Sequence, residues 1–305
     1  MYVFLGATFL GTIGIVARFI YRQEPDPLTV VTFRALIAFL ALLVTAIVVN
    51  PNWLRIRKKD FLFFAVYGLL SVSLCFLLFL YAIKYTSVAT ATILLYTYPA
   101  FVVILSRLFL GEEFTKAKIL ALLFTFLGCV LVIQVYDPAA FKPNLRGVIY
   151  GLGAGVGAGL YSVFGKKGVS RYSSFTVVTY ALGFGSFFLI LIRGTRTLIS
   201  ASYPAMTWLG IFALAILSTL VGYSLYTKGL RYLEAGSAGI AATWEVVVAS
   251  VLAFMIFGET LTFLQILGAV LVLAGIVVVR IHPSAEAQEK EPGNGGFKRK
   301  VQNPV

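Results

Sequence analysis

Two side chains of opposite charge stand in stretches of sequence where charge is out of place. Glu245 interrupts the apolar run from Ser237 to Phe257 near its middle, and Arg34 lies within the run from Leu28 to Val49. A carboxylate at bilayer depth costs on the order of 2.5–3.5 kcal/mol on insertion scales, so it marks a functional site whose partner has to be found. The chemistry open to Glu245 is that of a cation ligand, and the cation is a substrate amine, a proton or Arg34. Arg34 has two options of its own: facing the same cavity as Glu245, or snorkelling outward along its stem. Tyr96, Thr97 and Tyr98 on one run, and Thr243 and Trp244 on another, supply hydroxyls and aromatic faces. A mostly apolar wall with few polar anchors is the make-up of a small-molecule site. Pro99, in mid-run, removes a backbone donor and kinks its span, freeing a carbonyl toward the cavity. Tyr180, Tyr223 and Tyr226 read as interfacial belt residues, with lining the same space as the alternative.

These residues have to be positioned by membrane helices. Hydrophobic residues make up 60% of the 305-residue chain and charged residues 12%, against roughly 25% charged in a soluble domain. Runs long enough to cross about 30 Å of hydrocarbon recur at 2–21, 28–49, 61–81, 86–107, 117–136, 147–165, 175–193, 207–227, 237–257 and 262–281. The first run has no basic flank before it and no small-residue cleavage pattern, which predicts a retained helix. Short gaps hold Pro25, Pro27, Pro51, Asp137, Pro138, Pro143 and Pro204, so no soluble domain fits between the runs. Cys75 and Cys129 lie in apolar spans without metal-ligand spacing. From His282 onward the chain turns polar and predicts a disordered tail over 282–305.

The net charge of +13 does not imply nucleic acid, because the basic residues sit in the gaps between spans. Of the 25 lysines and arginines, 17 fall in gaps on one face and in the tail, and 6 in gaps on the other. The positive-inside rule then places both termini in the cytoplasm of a multi-pass inner-membrane protein.

A repeat with a constant offset of 147 residues runs through the chain. Thr29-Val30-Val31-Thr32 recurs as Thr176-Val177-Val178-Thr179, Gly111-Glu112 as Gly258-Glu259, Thr115 as Thr262, Gly128 as Gly275, Gly6 as Gly153 and Ser71 as Ser218. Each half holds five spans, an odd number, so the second half enters the membrane with the opposite orientation. The expected fold is therefore an all-α integral membrane protein of ten helices in two inverted five-helix repeats, 1–137 and 147–281. Under this offset Glu245 is the mate of Tyr98, and Arg34 the mate of Ala181.

Two such halves, with LGEEFT at Leu110 to Thr115, FGETLT at Phe257 to Thr262 and YTYPAFV at Tyr96 to Val102, resemble the EamA family of the drug/metabolite transporter (DMT) superfamily. The resemblance covers about residues 3–281. It implies a carrier whose central cavity is lined by helices 1–4 and 6–9, with helices 5 and 10 peripheral. One departure stands out: helix 9 has Glu245-Val246 where helix 4 has Tyr98-Pro99, which predicts a straighter helix 9.

Gly151, Gly155 and Gly159 share one face of helix 6 in the small-xxx-small pattern of close helix packing. Gly111 and Gly258 suit the positive φ that ends a helix, Thr262 with Gln265 matches a capping box, and Glu112 and Glu259 read as structural.

The expected function is a secondary transporter that exports small metabolites, amino acids or related amines, by alternating access, with proton coupling at Glu245 as one option. A doubly charged phosphate would call for several deep Lys or Arg, and among deep cations only Arg34 qualifies. The alternatives are a passive channel or facilitator, and an intramembrane enzyme; the latter would need a nucleophile–base or metal set that the spans lack. No cofactor, metal or nucleic acid is expected. The partners are the lipid bilayer, a small-molecule substrate and at most a second copy of the chain, as monomer or homodimer.

Overall fold

The computed structural model describes residues 1–134, 144–258 and 260–281. Asp137, Pro138, Lys142, Pro143, Glu259, His282 and the polar segment to 305 lie outside the described residues. Ten helices are long and apolar enough to cross a membrane: α1 Tyr2–Tyr21, α2 Pro27–Val49, α3 Lys58–Tyr85, α4 Val88–Leu110, α5 Lys116–Ile133, α6 Leu145–Val169, α7 Ser174–Arg193, α8 Ala205–Gly229, α9 Ala235–Phe257 and α10 Phe263–Ile281. No strand occurs among the described residues.

The repeated motifs are helix punctuation. Asp26 accepts the Thr29 amide at 2.7 Å to start α2, and its mate Ser173 accepts the Thr176 amide at 3.0 Å to start α7. Thr115 and Thr262 cap α5 and α10 in the same way, the latter in a reciprocal box with Gln265. Gly111 and Gly258 close α4 and α9 at φ of 75° and 67°. A β-carbon would be strained at that φ, which is why both halves keep glycine there.

Packing follows the inverted symmetry. The contact of α1 with α8 is repeated by α6 with α3, and that of α1 with α9 by α6 with α4, while α2 pairs with α7 and α4 with α9 across the axis. The principal core is formed by residues of α2, α3, α4, α6, α7, α8 and α9 such as Leu42, Tyr67, Val102, Tyr161, Leu182 and Tyr226. Helices α5 and α10 lie outside it, packed on each other where a β-carbon at Gly128 would stand 2.6 Å from the Gly268 carbonyl oxygen.

The spans are longer than the hydropathy runs at several ends. Helix α6 continues past residue 165 to Val169, because the ammonium of Lys166 donates to the carbonyls of Leu230 and Leu233 instead of entering solvent. Buried Lys118 pairs with Glu234 at 2.8 Å. Arg171 pairs with Asp60 at 3.0 Å, and Tyr172 also donates to Asp60. All of these ties lie on the membrane face that carries the N-terminus; those at Lys118 and Asp60 join one repeat to the other, while Lys166 ties α6 to the end of α8 within the second repeat. Among the described residues, the ion pair on the opposite face is Arg193 with Asp26 at 3.2 Å.

Glu112 is buried, and its carboxylate accepts the backbone amides of Ala235 at 2.6 Å and Gly236 at 3.0 Å. The last acid of the first repeat thus caps the first turn of α9 in the second. Replacing Glu112 by Ala is expected to lower the unfolding free energy in detergent by about 1–3 kcal/mol, since two helix amides lose a charged acceptor. The same change at exposed Glu113 is expected to stay within about 0.5 kcal/mol. Equal denaturation midpoints for the two variants would show that the cap does not hold the repeats together.

Candidate functional site

Helix α4 is interrupted at Tyr96 and Thr97, between helical segments Val88–Leu95 and Tyr98–Leu110. Helix α9 is interrupted at the matching place, Thr243, between Ala235–Ala242 and Trp244–Phe257. The missing proline leaves α9 with an interruption of one residue, against two in α4, but does not abolish it. The reason is the threonine hydroxyl. Thr243 Oγ1 donates to the Ile240 carbonyl at 2.7 Å, three residues back, as Thr97 Oγ1 does to Leu94 at 2.6 Å. Such a back-bond satisfies a carbonyl that the helix ladder releases, so the break needs no proline. Thr12 makes the same bond to Phe9 at 2.6 Å where α1 is interrupted.

Glu245 occupies the first turn of the second half of α9, where exposed amides and the helix dipole favour a negative charge. It lies ten residues from Ala235, about 15 Å at 1.5 Å per residue, which is half of a hydrocarbon core of roughly 30 Å. Its carboxyl is half-buried and faces the phenol of Tyr96 at hydrogen-bonding range. Tyr98, Tyr226 and Cys129 are within its electrostatic reach. Helix α1 comes so close that a β-carbon on Gly11 would stand 2.7 Å from the Glu245 carbonyl oxygen.

Arg34 is 6% exposed and does not snorkel. Its guanidinium carbon lies 4.5 Å from the centre of the Phe76 ring, and its Nε has no hydrogen-bond partner among the described residues. No ion pair joins it to Glu245. Tyr223 is the side chain within electrostatic reach of both charges. With Tyr226, it belongs to the interior: the Tyr223 ring packs at 4.8 Å and a 59° tilt against Tyr161, and buried Tyr226 shares a 2.6 Å hydrogen bond with Ser162. The belt reading fails for this pair, because α8 turns them toward the core. Tyr180 packs on Phe64 and donates to the Leu54 carbonyl at 2.7 Å.

The other candidates divide into two groups. Tyr98 donates to the Gly239 carbonyl at 3.3 Å, tying α4 to α9. Trp244 donates to Thr8 at 3.1 Å and packs on Phe4 of α1. Thr97 and Thr243 spend their hydroxyl protons on the backbone, leaving acceptor lone pairs. Pro99 is the second residue of the second half of α4, and it lacks the donor that the break would orphan.

Gly151, Gly155 and Gly159 face α4 on both sides of its interruption. A β-carbon on Gly155 would stand 2.9 Å from Thr97 Oγ1 and 3.1 Å from the Leu94 carbonyl oxygen. Those on Gly151 and Gly159 would meet Leu94 and Phe101.

Sequence reasoning also missed two π-helical turns, Leu69–Leu74 in α3 and Leu214–Val221 in α8. Hydroxyls of Ser73 and Thr219 reach the carbonyls five residues back in these turns. Ser71 and Ser218, a pair the repeat had matched, sit inside them, and Ser218 meets Thr12 of α1 at 2.7 Å. Such turns recur at functional sites, and here each half carries one.

Comparison with known proteins agrees with this geometry. The EamA-like transporter family matches residues 1–134 and again residues 145–281. The chain belongs to the EamA-like transporter family. An uncharacterized transporter of Archaeoglobus fulgidus is 30% identical over 90% of this chain and 94% of its own. The uncharacterized inner membrane transporter YicL of Salmonella typhimurium is 26% identical over 94% and 96%. A protein of Streptantibioticus cattleyicolor named probable terminal-alkyne amino-acid exporter is 25% identical over 74% and 75%. A crystal structure with 16% identity superposes with a TM-score of 0.80 over 95% of this chain and 97% of that chain, which speaks for the shared fold. Within this EamA-like architecture, the interruptions of α4 and α9 meet across the pseudo-two-fold axis, and Glu245 breaks the symmetry there.

Because Gly155 abuts the Leu94 carbonyl at the break of α4, Gly155→Leu is expected to destabilise the protein by about 1–3 kcal/mol through overpacking. Gly14→Leu, where no atom lies within 4 Å of the added carbon, is expected to be neutral. Thermal unfolding of the two purified variants checks this, and an unshifted Gly155→Leu would mean that α4 and α6 are not locked together at the break.

Proposed function

We propose that this EamA-like transporter exports amino acids or related amines from the cytoplasm by alternating access, with the ligand amine on Glu245 and its carboxylate on Arg34. The observation that carries the reading is a pair of opposite charges inside the membrane that do not neutralise each other. Glu245 faces Tyr96 and Arg34 lies over Phe76, with Tyr223 in reach of both. A buried charge is held in place when a partner compensates it, and a zwitterion offers one partner to each. Tyr96, Tyr98, Thr97, Thr243 and Trp244 then form the wall, offering hydroxyl acceptors and aromatic faces. The amino-acid exporter among the relatives supports the substrate class.

Export requires the two repeats to rock about this point. On the N-terminal face, read as cytoplasmic, the ties at Asp60, Lys118 and Glu112 join the repeats and must loosen as the site turns inward. Glu245 then releases the amine to the far side and takes a proton back, so that each cycle exchanges one cation for another. The coupling follows from the carboxylate holding a single cation at a time.

In proteoliposomes loaded with a panel of radiolabelled amino acids and amines, Glu245→Gln is expected to reduce transport of the substrate by at least about tenfold and to remove its response to a pH gradient. Arg34→Gln is expected to spare amines that lack a carboxylate. Unchanged transport by Glu245→Gln, with its pH response intact, would refute the assignment.

A further inference from the structure

A groove of about 360 Å³ runs between α4 and α5 on the lipid-facing side of the helix break. One wall is Tyr96, Thr97 and Ala100, the other Ile119, Leu123 and Phe126, and Phe114 closes the end nearest the α4–α5 loop. Nothing in the transport scheme uses it. Its walls are apolar and open sideways: Leu123 is 55% and Ile119 40% exposed. At this depth in a bilayer the surrounding solvent is hydrocarbon chain.

Three features narrow the occupant. First, length: from residue 116 to residue 126 is ten residues of helix, about 15 Å, or one leaflet of a roughly 30 Å hydrocarbon core. Second, charge: Lys116, Ile119, Leu123 and Phe126 recur at helical spacing and form one stripe of α5. Thr97, Ala100, Ile104 and Arg107 form the corresponding stripe of α4. Both stripes therefore end, on the N-terminal face, in an exposed basic residue. Exposed Glu113 on the connecting loop still leaves this mouth with a net positive charge. Third, position: Tyr96 lines the inner end of the groove and also faces Glu245.

We propose that this groove holds one acyl chain of an anionic phospholipid from the leaflet on the side of the N-terminus, with its phosphate between Arg107 and Lys116. Basic residues between membrane helices near the headgroups bind acidic lipids in this manner. The chain end fills the space left by the break of α4, directly behind the Tyr96 phenol. The bound lipid thereby supports the wall of the transport site from outside, and transport becomes sensitive to the acidic-lipid content of the membrane.

Native mass spectrometry of the purified full chain, titrated with dioleoyl phosphatidylglycerol or dioleoyl phosphatidylcholine, tests this without any transport assay. The wild type is expected to bind its first phosphatidylglycerol about tenfold more tightly than phosphatidylcholine. Arg107→Gln combined with Lys116→Gln is expected to erase that preference. Leu123→Trp, which fills the groove, is expected to weaken binding by at least about tenfold, while Leu120→Trp on the neighbouring exposed face leaves it unchanged. Ala100→Leu narrows the other wall and serves in place of Leu123→Trp if that variant does not fold. Glu245→Gln is expected to bind the lipid as the wild type does, so this test and the substrate test fail independently. Wild-type binding by both groove variants, or a retained preference in the double variant, would overturn the proposal. So would displacement of the lipid by a straight-chain alkylamine, which would make the groove a substrate slot, or a dimer lost in Leu123→Trp, which would assign it to a second copy.

Discussion

A charge in the middle of a bilayer has to be held by something other than water. The carboxyl of Glu245 is held by the interruption of α9, which turns a continuous helix into two and brings the start of the second half, with the positive end of its dipole, to the membrane centre. Everything else in the site serves that interruption. The Thr243 back-bond satisfies the released carbonyl, Gly11 lets α1 approach the Glu245 backbone, and Tyr96 places a phenol opposite the carboxyl. Without the break, Glu245 would be an acid on an apolar rod, exposed to the full insertion cost.

Inverted symmetry supplies the second half of the design. The matching interruption of α4 faces that of α9; the Tyr98 hydroxyl ties the two together, and Gly155 of α6 packs against the Leu94 carbonyl of α4. Departures from the symmetry fall where they have consequences. Glu245 replaces Tyr98 and Arg34 replaces Ala181, so a two-fold scaffold presents a site with a negative and a positive end.

The helix count, the inverted repeat and the helix caps were legible in the sequence because each leaves a residue signature: length of apolar run, register of matched motifs, Gly111 and Gly258 at positive φ. The break in α9 was not. Its cause is a side-chain hydroxyl bonding backward, and threonine makes that bond in many unbroken helices. The π-helical turns of α3 and α8 were equally silent, although Ser71 and Ser218 recurred at the right offset. Tyr223 and Tyr226 were misread for a different reason. Tyrosine near a helix end favours the interface on average, and only the packing of α8 against α1 and α6 shows that these two point inward. Glu112 read correctly as structural, but its partners in the other repeat, the amides of Ala235 and Gly236, depend on a tertiary contact no local pattern announces.

The central claim is that Glu245 is the cation ligand of the transport site. Isothermal titration of the purified protein with its best-binding amino acid, compared between wild type and Glu245→Gln in buffers of different ionisation enthalpy, tests it most directly. The account predicts that the wild type binds with net proton release to the buffer, and that Glu245→Gln loses both the release and at least about tenfold in affinity. Binding of equal strength with the same proton release in both proteins would contradict it.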